Sequence, residues 1–423
     1  MRSMPPFALA LTLAAVLAAC APAHNPTPTP AALPKPTTMP AAPAGVSERA
    51  MTVYRDAYVI DTHNDLPSKI ADDSVNPDIR HPVGDLHTDL PRLMESGLTA
   101  VYLSDFVNAT YALQKPDASY ARAVQLADTI HSFVKRHPKE LLFATTAADV
   151  ERAKREGKVA ILIGVEGGHA IEASLDKLRD LYARGVRYMT LTWNNGNQWA
   201  GAAWGINGTS TGGLTPFGKE VIHEMNRLGM FVDVSHVSEQ TYYDAIAASS
   251  VPVIASHSSA RALSDHRRNL TDDQLRAMAK NGGVVNVNFY PAFIDSTYRL
   301  AADAATKGVE AWRDSALARP GADSAAIRVE MKKRMTAALA AVPRPALSVL
   351  LDHFDHIAKV AGVDHVGIGS DFDGIEVTPQ QMEDVTALPR IAQGLLDRGY
   401  SEADVKKILG GNMLRVMKQV LKP

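Results

Sequence analysis

Across 423 residues there is a single cysteine, Cys20, so no disulfide can form within the chain. Charge of one sign is not in excess either: 44 Lys and Arg stand against 46 Asp and Glu, for a net charge of −2. That balance offers no basic patch for nucleic acid, and no long charge run reads as a disordered interaction tail. Long apolar runs are scarce as well. Phe7 to Ala19 is one, and it is too short to be a comfortable membrane span. With 46% hydrophobic and 21% charged residues the chain has an ordinary globular balance. Its length suits one large domain or two to three ordinary ones.

The position of the lone cysteine carries information. A mildly basic start, Met1-Arg2, precedes the apolar run, which ends Leu17-Ala18-Ala19-Cys20. Small residues before a cysteine resemble a bacterial lipoprotein signal, cleaved before Cys20 and followed by lipidation there. The rival reading is an ordinary secretory signal that happens to contain a cysteine. Ala21 rather than Asp follows, which is compatible with the outer membrane. The expectation is a signal peptide over residues 1–19 and a lipidated Cys20 that anchors the chain at the cell envelope, on the outer membrane or the periplasmic face. Residues 20–45 are Pro, Ala and Thr with almost no charge, a composition that cannot bury a core and reads as an extended tether. The folded domain is expected over residues 46–423.

Beyond the tether, apolar runs alternate with amphipathic helical segments. The runs are Ala57 to Asp61, Leu98 to Leu103, Val159 to Val165, Arg187 to Thr192, Met230 to Ser235, Val251 to Ser256, Gly283 to Phe289 and His365 to Ser370. They are short, rich in Val and Ile, and continuous rather than alternating, as strands covered on both faces are. Helix starts are marked by Thr215-Pro216, Ser238-Glu239, Thr271-Asp272-Asp273-Gln274 and Ser401-Glu402. Gly410-Gly411 reads as a helix end, with Asn412 capping the last helix. Eight strands alternating with helices predict an α/β fold, a (β/α)8 TIM barrel of one domain. An open doubly wound sheet is the alternative. A charged, Ala-rich helical insertion over 291–345 interrupts the pattern between the seventh and eighth runs and reads as an excursion over one barrel end.

Polar residues gather at the downstream ends of these runs. The first leads to His63 and Asp65, the third to Glu166-Gly167-Gly168-His169, the fifth to His236, the sixth to His257, and the eighth to Asp371-Phe372-Asp373-Gly374. In a closed parallel barrel all those ends meet at the face where such proteins place their sites. A lone strand-end histidine is usually structural, but recurrence on five strands is not coincidence. Histidine and carboxylate are the usual non-sulfur ligands of Zn2+. There are too many for one tetrahedral ion with an open position, and two ions sharing the Glu carboxylate would use them economically.

The motifs Ile60-Asp61-Thr62-His63-Asn64-Asp65, Gly164-Val165-Glu166-Gly167-Gly168, Val234-Ser235-His236-Val237-Ser238, Ser256-His257-Ser258-Ser259-Ala260 and Asp371-Phe372-Asp373-Gly374 resemble those of the membrane dipeptidases, in the amidohydrolase superfamily. The resemblance covers Tyr54 to Met417 and implies a dipeptidase with two Zn2+ per chain and a metal-bridging hydroxide. By matched positions, His63 and Asp65 would hold one ion, His236 and His257 the other, and Glu166 would bridge them. Asp371 would be the general base and acid. Arg268 would grip the substrate carboxylate, and Tyr290 would line the pocket. One position departs: where many members carry a His that contacts the substrate carbonyl, this chain has Trp193, followed by Asn194. Trp193 has one neutral indole N–H donor and cannot accept a proton, so Trp193 or Asn194 would have to contact the substrate differently.

The expected substrate is therefore a dipeptide-like small molecule, with a D-residue at the C-terminal position within scope. Two rivals remain: a metal-dependent hydrolase of another small amide, lactam or ester, and a non-catalytic peptide-binding lipoprotein. Oligomeric state is not legible, and a homodimer is compatible with the sequence. His169 is a candidate for supporting a ligand; His353, His356 and His365 need no role.

Overall fold

Parallel strands build the core, each from one of the apolar runs. In this computed structural model, residues 42–205, 209–210, 212–319, 321 and 323–422 are described. Cys20, the signal segment and most of the tether lie outside them. Ser47 caps the first helix, Glu48–Asp56, by accepting from Ala50 N.

The strands are β1 (Ile60–Asn64), β2 (Ala100–Phe106), β3 (Leu141–Phe143), β4 (Val159–Glu166), β5 (Val186–Thr190), β6 (Phe231–Asp233), β7 (Ile254–Ala255), β8 (Val284–Val287) and β9 (Val366–Ile368). β1 pairs with both β2 and β9, and β2 pairs with β4, so β1-β2-β4-β5-β6-β7-β8-β9 closes on itself as an eight-stranded parallel barrel. All eight runs are staves of it. The addition is β3, which pairs with the first half of β4 (Leu141 with Val159, Phe143 with Ile161), while β5 pairs with the second half (Glu166 with Thr190). Three residues set between Lys139-Glu140 and Ala144-Thr145 are too few to show as a run in the sequence.

Two apolar layers follow from closure. Inside the barrel Ile60, Ala100, Tyr102, Ala160, Leu162, Tyr188, Phe231, Ile254 and Val284 meet, and Met413, Val416, Met417 and Val420 of the last helix, Asn412–Val420, pack against them. Outside it, alternate residues such as Val101, Leu103, Ile161 and Ile163 pack with the helical layer. The interior is filled, as in other barrels of this size. Gly164 matters here: any Cβ would enter the ring of Tyr188, so only glycine lets that tyrosine lie across the interior.

The helix starts form as the sequence indicates. Thr215, Ser238, Thr271 and Ser401 each cap with their hydroxyls, and Thr271 with Gln274 completes a capping box. Asn412 does not cap. It lies inside the last helix and donates from Nδ2 to Val363 O and Val366 O, tying that helix to β9. The insertion is helical: Pro291–Ile294, then the long helices Ser296–Leu317 and Ser324–Leu339. Its base packs through Ala292, Tyr298, Ala302, Leu339 and Val342 against Tyr290 and Val377, beside the downstream end of the barrel.

Candidate metal centre and active site

Each site residue stands at or just past a strand end, and buried carboxylates lock those ends in register. Asp61 in β1 accepts from Ser370 N (2.8 Å) and Ser370 Oγ (2.5 Å), fixing the end of β9. Asp233 in β6 does the same for Ser256 at the end of β7, with 2.8 Å to its N and 2.6 Å to its Oγ. His236 and Asp371, just beyond β6 and β9, have left-handed backbones with φ of 65° and 64°. Such conformations cost a non-glycine residue about 1–3 kcal/mol and persist where surrounding structure enforces them.

The six predicted residues converge. His63 Nε2 lies 3.3 Å from Asp65 Oδ2, 3.4 Å from Glu166 Oε2 and 3.9 Å from Asp371 Oδ1. The other oxygen of Glu166, Oε1, lies 2.9 Å from His236 Nε2 and 3.6 Å from His257 Nε2. One carboxylate thus faces two ligand sets, one with each oxygen. Asp65 does not reach the cluster by simple strand alternation. The register of β1 shifts between Asp61 and Asn64, and Asp65 sits at the start of the helix Leu66–Asp72. Gly374 closes the floor: a Cβ there would strike both Asp65 Oδ2 and Asp371 Oδ1.

Proton positions follow from the partners behind the ligands. Ser256 Oγ donates to Asp233, so at 2.8 Å it accepts from His257 Nδ1–H. Asn194 Oδ1 accepts from His236 Nδ1–H at 2.9 Å. Both imidazoles then direct bare Nε2 lone pairs into the cluster, and those two nitrogens are only 2.9 Å apart. Two lone pairs at that distance, beside a carboxylate oxygen, repel unless a cation lies among them. Buried Asp65 Oδ1 and His63 Nε2 make no hydrogen bond. This donor set, with its nitrogens oriented from behind, fits divalent metal ions.

The electrostatics of the two sets differ. Burial opposes charge on His63, but Tyr188, Asp65 and Glu166 outweigh it and hold the imidazole well above its usual value. Burial lowers His257 further than its His63 neighbour does, and burial with Arg268 pushes His236 down to about 3. Burial would raise Glu166, yet His63, His236 and His257 reverse that and hold it well below the usual carboxylate range. Asp371 is pushed up to about 8 by burial and by Asp65 and Glu166, against His63 and an Asn288 Nδ2 donor at 2.8 Å.

Above the cluster lies a cavity of about 320 Å³ lined by Phe106, Asn108, Trp193, Asn194, Tyr290 and Phe293 among others. Trp193 packs edge-on to Phe106, with centroids 5.0 Å apart. Asn194 faces the cavity with its oxygen already taken by His236, leaving its amide N–H groups for a ligand. Arg268 does not line the cavity. It is buried, donates to His257 O (3.0 Å) and Ser258 Oγ (3.3 Å), and stands behind Phe293, whose ring centroid is 5.4 Å from the guanidinium carbon. A larger hollow of about 600 Å³, lined by Tyr111, Lys115, His169 and Asn195, contains none of the ligand set. His169 belongs there, 3.4 Å from Asn195 Nδ2. His353 is structural, accepting from Ala260 N and donating to Ile294 O.

No role was read from the sequence for Tyr188, Ser256, Asn288, Asp61 or Asp233, although Asp61 and Ser256 lie within quoted motifs. Tyr188 Oη is 2.7 Å from His63 Nδ1, reaching it across the space that Gly164 leaves open. The only sequence signals were a tyrosine inside an apolar run and small polar residues beside each ligand.

A closed parallel barrel with histidines and carboxylates converging at its downstream end defines a metal-dependent hydrolase. Comparison with known proteins narrows this. The profile of the membrane dipeptidase family (peptidase family M19) matches residues 47–422, and the chain belongs to that family. It is 36% identical over 387 residues to an "uncharacterized dipeptidase", C965.12, of Schizosaccharomyces pombe, covering 88% of this chain and 82% of that one. Among solved structures it resembles the probable dipeptidase PvdM of Pseudomonas aeruginosa, at TM-score 0.75, 26% identity and coverage of 88% and 98%. It also resembles a metallo peptidase of Rhodobacter sphaeroides bound to a phosphinate mimic of L-Ala-D-Ala, at TM-score 0.67, 25% identity and coverage of 86% and 99%.

Proposed function

We propose that this chain is a binuclear zinc dipeptidase acting on free dipeptides, including those with a C-terminal D-residue. The observation that carries this is Glu166, whose two oxygens face separate ligand sets. His63 and Asp65 would hold one Zn2+ and His236 and His257 the other. When bound, such a pair supplies Lewis-acid polarisation of a carbonyl and a water acidic enough to attack near neutrality.

The chain's own residues do the rest. Asp371, aimed by Asn288, takes a proton from the attacking water and returns it to the leaving amine. Tyr290, Phe293, Phe106 and Trp193 enclose the substrate and exclude water. Among the described residues the cavity wall has no Lys or Arg, so Arg268, once Phe293 moves aside, is the proposed partner of the substrate carboxylate. The D-residue in the bound mimic of the Rhodobacter relative supports including that stereochemistry. Trp193 supports keeping a small lactam or other amide in view. At the other end of the chain, Cys20 is proposed to carry lipid; a Cys20→Ala protein that still fractionates with membrane argues against this.

The test is metal analysis beside a hydrolysis panel of L,L- and L,D-dipeptides, C-terminally amidated dipeptides, tripeptides and a lactam. Two zinc ions per chain and turnover restricted to free-carboxylate dipeptides are expected. One ion per chain, or equal turnover of amidated substrates, overturns the reading.

A further inference from the structure

The catalytic cavity has unlike walls. Phe106 and Trp193 come from the ends of β2 and β5, and Tyr290, Phe293, Ile375 and Glu376 from beyond β8 and β9. In the closed order β9 stands four strands from β5, so Trp193 and Glu376 rise on opposite sides of the barrel. Among the described residues the wall contains four acids and no Lys or Arg. Asp65, Glu166 and Asp371 belong to the metal cluster. Glu376 does not: it is exposed, and among the described residues it makes no hydrogen bond or ion pair.

Resting on the dipeptidase reading above, we propose that Glu376 makes this enzyme prefer dipeptides bearing a basic side chain, Lys or Arg. The aromatic residues pack the aliphatic stem of such a side chain while its charged end stays at the wet rim. Glu376 supplies the opposite charge there. The substrate's own α-ammonium is a poorer match, because it lies beside the scissile bond. Glu376 stands two residues past Gly374, which touches the cluster, and two residues of chain span up to ~7 Å. That offset suits a charge at the end of a long side chain.

The test compares kcat/KM for Lys-Ala against norleucine-Ala and Ala-Lys against Ala-norleucine, in the full-length zinc enzyme and in Glu376→Gln and Glu376→Lys. Norleucine lacks only the ammonium. An exposed pair implies a wild-type preference for lysine of ~2–5-fold at one position, shrinking in 0.5 M salt. Glu376→Gln should erase that ratio and Glu376→Lys should invert it. The same ratio in all three enzymes overturns the proposal, as does an equal loss on both members of a pair, which would mark a structural or amine-binding role. If wild type cleaves no norleucine dipeptide, the dipeptidase reading falls and takes this with it. Norleucine turnover with an unaltered ratio removes Glu376 alone.

Discussion

On opposite sides of the barrel, Asp61 and Asp233 make the same pair of bonds, each gripping the amide and hydroxyl of a serine on a neighbouring strand end. What they brace is not the same. On the β1–β9 side, Tyr188, Asp65 and Glu166 outweigh the burial of His63, and its proton affinity rises. On the β6–β7 side, burial lowers the proton affinity of His236 and His257, helped by Arg268 at His236 and by His63 at His257. Equal scaffolding thus carries unlike surroundings, so the two proposed ion sites would differ in chemistry. Glu166 faces both sides, with Oε2 toward His63 and Oε1 toward His236.

Glu166→Gln attacks that common element and should have the largest effect. It removes the negative charge between two proposed cations, so zinc content itself should fall below two per chain and turnover with it. A variant that keeps two tightly bound ions would separate the sites from Glu166. Asp371→Asn comes next. Its shape is retained but not its proton transfer, so kcat should drop ~10²–10⁴-fold with both ions in place; near-normal kcat would remove Asp371 from the chemistry.

The remaining two variants each touch one side. Tyr188→Phe deletes the Oη facing His63 in a fully buried place where water cannot substitute. Metal affinity on the β1 side should weaken ~10–100-fold. Asn194→Ala deletes the acceptor for His236, but Asn194 is half-exposed and water can replace it. The loss on the β6–β7 side should stay near the low end, ~10-fold. Chelator titration of zinc from each variant reads both. If both variants weaken the same ion, or both ions equally, the two-sided picture fails.

The barrel was legible because most of its staves are short, Val- and Ile-rich runs separated by amphipathic helical segments. The candidate site was legible because His63, Asp65, Glu166, His236, His257 and Asp371 follow apolar runs with side chains able to hold a metal or carry a proton. What supports them was not. Tyr188 looks like any packed aromatic, and its role depends on Gly164 in another strand, a relation that exists only after the barrel closes. Asn412 looked like a cap because local pattern says nothing about Val363 and Val366, roughly fifty residues upstream, which claim its amide. β3 was missed because three residues carry no periodicity. Arg268 could be matched to a substrate role, but its place behind Phe293 is a fact of packing.

The Asp–Ser ties between strand ends also bear on how such a protein can change. They hold the ligand atoms to the staves rather than to the loops. Insertions or replacements beyond Trp193, Tyr290 or Gly374 can therefore alter what enters the cavity without moving the nitrogens and oxygens beneath it. A deletion of one residue inside β1 or β6 has no such latitude, since it would pull an aspartate off its serine and turn a ligand away from the centre. Variation in this architecture is thus channelled to the rim, where new substrate ranges can be tried on a chemical floor that stays fixed.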